Sequence, residues 1–272
     1  MEALKEVSSH RHARYDNSVS ITAVPFDIDN LESEAVVKLF QEVKAYIRSV
    51  KIEMIASRKT FLSHEEHPAA TIGMNVQTPT VLFVESLERE ERVEAISHEL
   101  GHLLLTYRFG LALVGIRILR KRNNEEAFRY LSNLNKSWSY LLGQIPNTIH
   151  HLILIDYLRE EYGIESHRHV RFLRNHLRMI ANDTMKDREV LHARGIIAFE
   201  YERLIGQLDG VIELNSQSEF FRTAYRSARE HFGEHGFSAI PAPFAYKQDI
   251  LCFLEHLGYR REDFMFFPEE RS

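Results

Sequence analysis

His98-Glu99-Leu100-Gly101-His102 is the stretch from which the rest of the chain is read. On an α-helix, two histidines four residues apart lie one above the other on the same face, so both imidazoles can reach one metal ion. The carboxylate between them, Glu99, stands where it can take a proton from water on that metal. A motif this short arises by chance in about one chain in ten of this composition, so its neighbours must decide. They are uncharged: Ala95, Ile96, Leu100, Gly101, Leu103 and Leu104 form an apolar sheath that keeps water and competing charge away from the ligands. No proline interrupts the run. Upstream, Glu88, Glu90, Glu91 and Glu94 place negative charge at the positive end of a helix dipole. The pattern predicts a helix from about Glu88 to Tyr107.

Working outward, Ala69 to Val76 and Thr80 to Val84 read as two short strands before that helix, and Lys51 to Ala56 as another. Leu31 to Val50 repeats Val36, Val37, Phe40, Val43, Tyr46 and Ile47 at helical spacing, the pattern of an amphipathic helix packed on a sheet. A sheet of three or four strands is expected under the metal helix. The loop His64-Glu65-Glu66-His67 is rich in potential ligands, but its histidines are three apart without an apolar frame and read as solvated.

Taken with these strands, the motif resembles that of the zincin metallopeptidases, whose helix carries HExxH among uncharged neighbours. The order of two strands, a turn and a glutamate-rich helix start is similar to the compact zincins related to ImmA and IrrE. The resemblance covers the core alone, and beyond about Arg108 it extends to no particular subfamily. It implies hydrolysis of peptide bonds with one zinc ion per chain. It also implies that the second strand, Thr80 to Val84, is a sheet edge beside the site, on which an extended protein or peptide substrate pairs.

The third ligand has several candidates. A metzincin continuation is excluded, because Leu105 and Arg108 stand where Gly and His would be needed. Glu125 and Glu126 lie at the distance of a thermolysin-like glutamate, but they follow Arg120, Lys121 and Arg122, as a solvated helix start would. Ile145-Pro146-Asn147-Thr148-Ile149-His150-His151-Leu152-Ile153-Leu154-Ile155-Asp156 offers a better setting. Proline near a first helical position followed by an apolar run predicts a buried helix from Pro146 to Tyr162, capped by Gly163. Polar groups inside such a run need a reason. His151 is the favoured third ligand, with His150 about 100 degrees away around the helix. Asp156 is the expected acceptor that orients a ligating imidazole, with direct ligation the alternative. In this scheme Glu99 is the general base, and His150, Tyr157, His192 and Tyr201 are candidate donors to the oxyanion.

The chain has 272 residues, 44% of them hydrophobic and 27% charged, enough to bury a sizeable core. A net charge of −5 argues against general polyanion binding. One cysteine, Cys252, excludes an intrachain disulfide framework and fits a reducing compartment. Met1 to Asn17 has no apolar segment of the secretory kind, and no run reaches the roughly 20 apolar residues of a membrane span, so a cytoplasmic location is expected.

The fold class expected is α+β, mainly helical, with a small mixed sheet packed against the HExxH helix and a helical C-terminal half. Residues 1–20 read as a flexible arm, 21–163 as the metal-binding core and 164–272 as a helical extension packed on it. Helices are expected over Leu111 to Asn123, Glu125 to Trp138, Arg168 to Met185, Arg188 to Gly206, Ser216 to Phe232 and Tyr246 to Leu257. Pro241, Pro243 and Phe244 mark a linker before the last helix, and Phe264, Phe266 and Phe267 dock the tail. Between His167 and Arg178, Arg171, Arg174 and Arg178 share one face. With Arg117, Arg120, Lys121 and Arg122 they could serve nucleic acid, but an ordinary amphipathic helix with a wet face explains them better. Two alternatives to a peptidase therefore stand. One is an inactive zincin-like module that binds a regulatory partner protein. The other is a regulatory protein that contacts nucleic acid through its basic helices.

Overall fold

The computed structural model describes residues 23–55, 69–72, 78–116, 136–181, 186–208 and 210–267. The fold is α+β and mainly helical, as the periodicities predict. The expected arm, the His64 to His67 loop, the basic cluster at 117–122, Glu125 and Glu126 lie outside the described residues.

Four strands, β1 (Ala23–Pro25), β2 (Lys51–Ile55), β3 (Ala69–Ile72) and β4 (Thr80–Val84), form one sheet in the order β1-β2-β4-β3. β2 and β4 run parallel, with Ile52 beside Val81 and Ile55 beside Val84, and the two outer pairings are antiparallel. The run Val81-Leu82-Phe83-Val84 is wholly buried, as a central strand covered on both faces must be. This corrects the expectation drawn from the resemblance. Thr80–Val84 lies inside the sheet, and the edge is the preceding strand, β3.

Helix α1 (Glu34–Tyr46) and helix α2 (Arg89–Tyr107) pack together beside this sheet. Val36, Leu39 and Val43 form the buried stripe of α1. In α2, Glu88 is the N-cap, and its side chain and that of Glu91 close a reciprocal capping box. Negative charge at Glu90 and Glu91 then faces the positive end of the helix. From Ala95 to Thr106 every residue except His98 and Glu99 is fully buried.

Helix α3 (Lys136–Tyr162) is longer than expected: Pro146 lies inside it rather than at its start. Apolar Leu141, Leu142 and Ile145, all buried, carry the helix through the proline. It ends as foreseen at Gly163, whose φ of 66° lets Gly163 N–H reach Arg159 O and Ile164 N–H reach Leu158 O. Where α2 and α3 cross, a Cβ on Gly101 would stand 2.1 Å from Leu154 Cδ1.

Helices α4 (His167–Ala181), α5 (Arg188–Leu204), α6 (Glu219–Phe232) and α7 (Pro243–His256) complete the helical half, close to their expected positions. α5 packs against both α3 and α6. Residues 113–116, expected to be helical, form instead strand β5 (Leu113–Ile116), which pairs antiparallel with strand β6 (Phe264–Phe267). Phe264 is thus docked through backbone pairing as well as apolar contact. One apolar cluster runs through the molecule, from Ile28 and Phe83 to Phe199 and Phe253. Among the described residues, no helix is long and apolar enough to cross a membrane.

Candidate metal centre

Four helices converge on a histidine cluster. α2 brings His98 and His102, α3 brings His150 and His151, α4 brings His169, and α5 brings Glu200. One ligating atom from each of His98, His102 and His151 lies within 4.8 Å of the others, so these three could hold a metal ion. His98 Nε2 and His102 Nε2 are 3.1 Å apart. That is close to the roughly 3.3 Å between neighbouring nitrogens around a tetrahedral ion with bonds of about 2.0–2.1 Å.

Proton positions on these rings follow from the groups behind them. A backbone carbonyl can only accept, so the 3.0 Å contact to Leu111 O requires a proton on His150 Nε2. Burial depresses His150 to a pKa of about 3, so the ring is neutral and its Nδ1 is a lone pair. His102 Nδ1, 3.0 Å away, must therefore donate to it. His102 is itself held well below the ordinary imidazole value, first by burial and then by the neighbouring imidazoles. It is neutral, and its Nε2 carries a lone pair toward His98. At 3.1 Å that lone pair takes either a proton from His98 Nε2 or a share of a cation held between the two rings.

A carboxylate does the same for His151. Its Nδ1 is 2.7 Å from Glu200 Oε1 and donates to it, which leaves Nε2 as the free lone pair. Burial and the adjacent His169 lower the His151 pKa against the opposing pull of Glu200. Glu200 has no exposed surface. His169 Nε2 donates to the same Oε1 at 2.9 Å, while Thr148 Oγ1 and Gln144 Nε2 donate to Oε2 at 2.6 and 3.1 Å. Burial alone would raise this carboxyl, but His151 and His169 outweigh it and keep Glu200 ionised. Four donors around one buried anion meet the condition under which a buried charge is tolerated.

Glu99 sits on the side of α2 that meets the sheet. Thr71 Oγ1, on the edge strand β3, donates to Glu99 Oε2 at 2.8 Å. Burial raises the Glu99 carboxyl and hydrogen bonds from Thr71 pull it back. One turn earlier, Glu94 Oε1 accepts from the backbone N–H groups of Arg168 and His169 at 2.6 and 3.3 Å. Helix α2 thereby caps the first turn of α4 and sets where His169 stands. The His169 ring lies 4.0 Å from that of His151 and 5.2 Å from that of His98, centroid to centroid.

The structure thus brings His151 to His98 and His102, with Glu99 next to them in sequence. Several other expectations are corrected. Asp156 orients no ligand: it pairs with Arg159 at 2.7 Å and is half-exposed, and Glu200 takes the role reserved for it. His150 holds His102 from behind. Tyr157 bonds Glu42 and Arg108, and His192 bonds Tyr259, so neither presents its polar atom to the cluster. Tyr201 is buried in the apolar core. Two participants escaped the sequence reading, Glu200 and His169. Glu200 interrupts Ile196-Ile197-Ala198-Phe199, the same signal that singled out His151. His169 stands at 9% exposure within a stretch read as a wet face.

Two imidazole lone pairs, on His102 and His151, oriented from behind by a carbonyl and a carboxylate, together with the adjacent His98 ring, are a donor set suited to a borderline divalent cation. In comparisons with known proteins, no family model, no curated protein and no solved structure matches this chain.

Proposed function

We propose that this chain is a zinc-dependent metallopeptidase of the zincin kind, with zinc held by His98, His102 and His151 and Glu99 as general base. The observation that carries the reading is the convergence of three imidazoles, two of them, His102 and His151, with tautomers set by the groups behind them, and an ionisable carboxyl one residue from His98. Bound zinc supplies Lewis acidity toward a peptide carbonyl and lowers the pKa of water toward roughly 7. Three protein ligands leave a fourth position open, as catalytic sites require.

Glu99 accepts the proton of the attacking water and returns it to the leaving amine. Thr71 fixes one carboxylate oxygen and leaves the other for this transfer. Thr71 lies on a strand that, among the described residues, pairs on one side only, so its other edge can take an extended peptide by backbone hydrogen bonds beside the base. The choice of a peptide as substrate rests on this edge and on the resemblance of the motif. An inactive binding module would use Glu99, which is not one of the three converging imidazoles, only for its bond to Thr71.

The test compares zinc-loaded wild type with Glu99→Gln on a peptide library read by mass spectrometry. Glu99→Gln is expected to keep its zinc and to lose roughly 10²–10⁴-fold in cleavage rate. Undiminished cleavage by Glu99→Gln overturns the general-base role. Zinc binding by a wild type that cleaves nothing in the library favours the binding module instead.

A further inference from the structure

A second histidine cluster stands apart from the one already described, on the pair of helices α6 and α7. His231 Nε2 and His256 Nδ1 are 2.8 Å apart, and Glu230 Oε2 is 3.9 Å from the same His256 nitrogen. One atom from each of the three lies within 4.8 Å of the others. We propose that Glu230, His231 and His256 form a surface site for a divalent transition metal, in which one imidazole and one carboxylate from α6 meet one imidazole from α7.

Three features support the assignment. Donor chemistry comes first: two imidazoles and a carboxylate suit zinc, nickel or copper(II), and are a poor match for the oxygen-seeking magnesium or calcium. Spacing comes second. Ligands around a tetrahedral ion with bonds of about 2.0–2.2 Å stand about 3.3 Å apart, so the imidazoles need to part by only a few tenths of an ångström and the carboxylate to swing inward. Both movements are open to them, since the side chains of His256 and Glu230 are 50% and 67% exposed.

Field comes third. His231 lies in the last turn of α6 and His256 in the last turn of α7, so two negative helix ends meet where the cation would sit. The nearby cation Arg229 is turned toward Glu202, 3.6 Å away, and lies over the Tyr225 ring. A bound metal would bridge two helices that otherwise meet through apolar side chains such as Phe232 and Phe253, whose rings are 4.9 Å apart. Binding is expected to be weaker than at the buried cluster, because the ligands are solvated and the site is not held from behind.

The proposal does not depend on the peptidase reading, and its test separates the two. Titration of metal-free full-length protein with Zn2+ alone, followed by calorimetry, should show two classes of site, the weaker saturating at one equivalent. His256→Gln, with its fold checked by circular dichroism, should lose the weaker class or weaken it at least tenfold while keeping the tighter one. Zn2+ should also raise the melting temperature of His98→Gln, and should fail to do so when His231→Gln is added. An isotherm unchanged by His256→Gln overturns the surface site. A single class abolished by His256→Gln and kept in His98→Gln supports the surface site and removes the buried centre.

Discussion

Glu200 is the residue on which the candidate buried centre turns, although it is not one of the three converging imidazoles. Its carboxylate accepts hydrogen bonds from His151, His169, Thr148 and Gln144, and so dictates which nitrogen of His151 faces inward. Glu200→Gln preserves volume but replaces one acceptor oxygen with a donor, setting an N–H against groups that themselves donate. Zinc affinity is expected to fall about 10–100-fold, the usual cost of losing such a partner, as measured by competition with a chromogenic chelator. An unchanged dissociation constant would show that His151 is held by something else. At this scale the motif residues were legible because helical spacing places His98 and His102 on one face. Glu200 and His169 were not, because they join the site only through the packing of α4 and α5 on α2 and α3. No local spacing relates Glu200 to His98.

Close approaches between elements determine whether these side chains meet. Gly101 admits the side chain of Leu154 where α2 and α3 cross, whereas Gly195 on α5 faces backbone: a Cβ there would lie 2.3 Å from Phe221 O on α6. A flexible leucine can shift and a helix backbone cannot without moving the helix. Gly101→Ala is therefore expected to cost about 1–3 kcal/mol as ordinary overpacking, partly offset by alanine's helix propensity of up to about 1 kcal/mol. Gly195→Ala should cost more, by at least about 1 kcal/mol, in the midpoint of urea unfolding. Equal costs would mean that α5 and α6 yield as easily as one side chain. Elements with clear end signals were read nearly to the residue, as with α2 and the stop at Gly163, while α1 was placed correctly but is shorter at both ends than its apolar period, Glu34–Tyr46 against Leu31 to Val50. Pro146 misled because proline is commonest at a helix start, and here apolar residues on both sides hold it inside one long helix. The strand order was beyond reach as well, since a buried central strand and a strand at the edge of a covered sheet share the same apolar spelling.

At the scale of the whole molecule, the sheet and the helical half meet at the histidines. The edge strand β3 holds Glu99 through Thr71, while α4 and α5, from the second half of the chain, hold His151 from behind. Packed elements on both sides leave the lone pairs of His102 and His151 preorganised beside His98, so the imidazoles need little rearrangement to accept an ion. The central claim is that this arrangement binds one ion through three imidazoles and keeps one position for water. X-ray absorption on protein loaded with one equivalent of zinc tests it most directly. Three imidazole nitrogens at about 2.0–2.1 Å and one non-imidazole oxygen are expected, with one imidazole lost in His151→Ala. Four imidazole nitrogens, which would draw His169 into a closed site, or a coordination shell unchanged by His151→Ala, would contradict it.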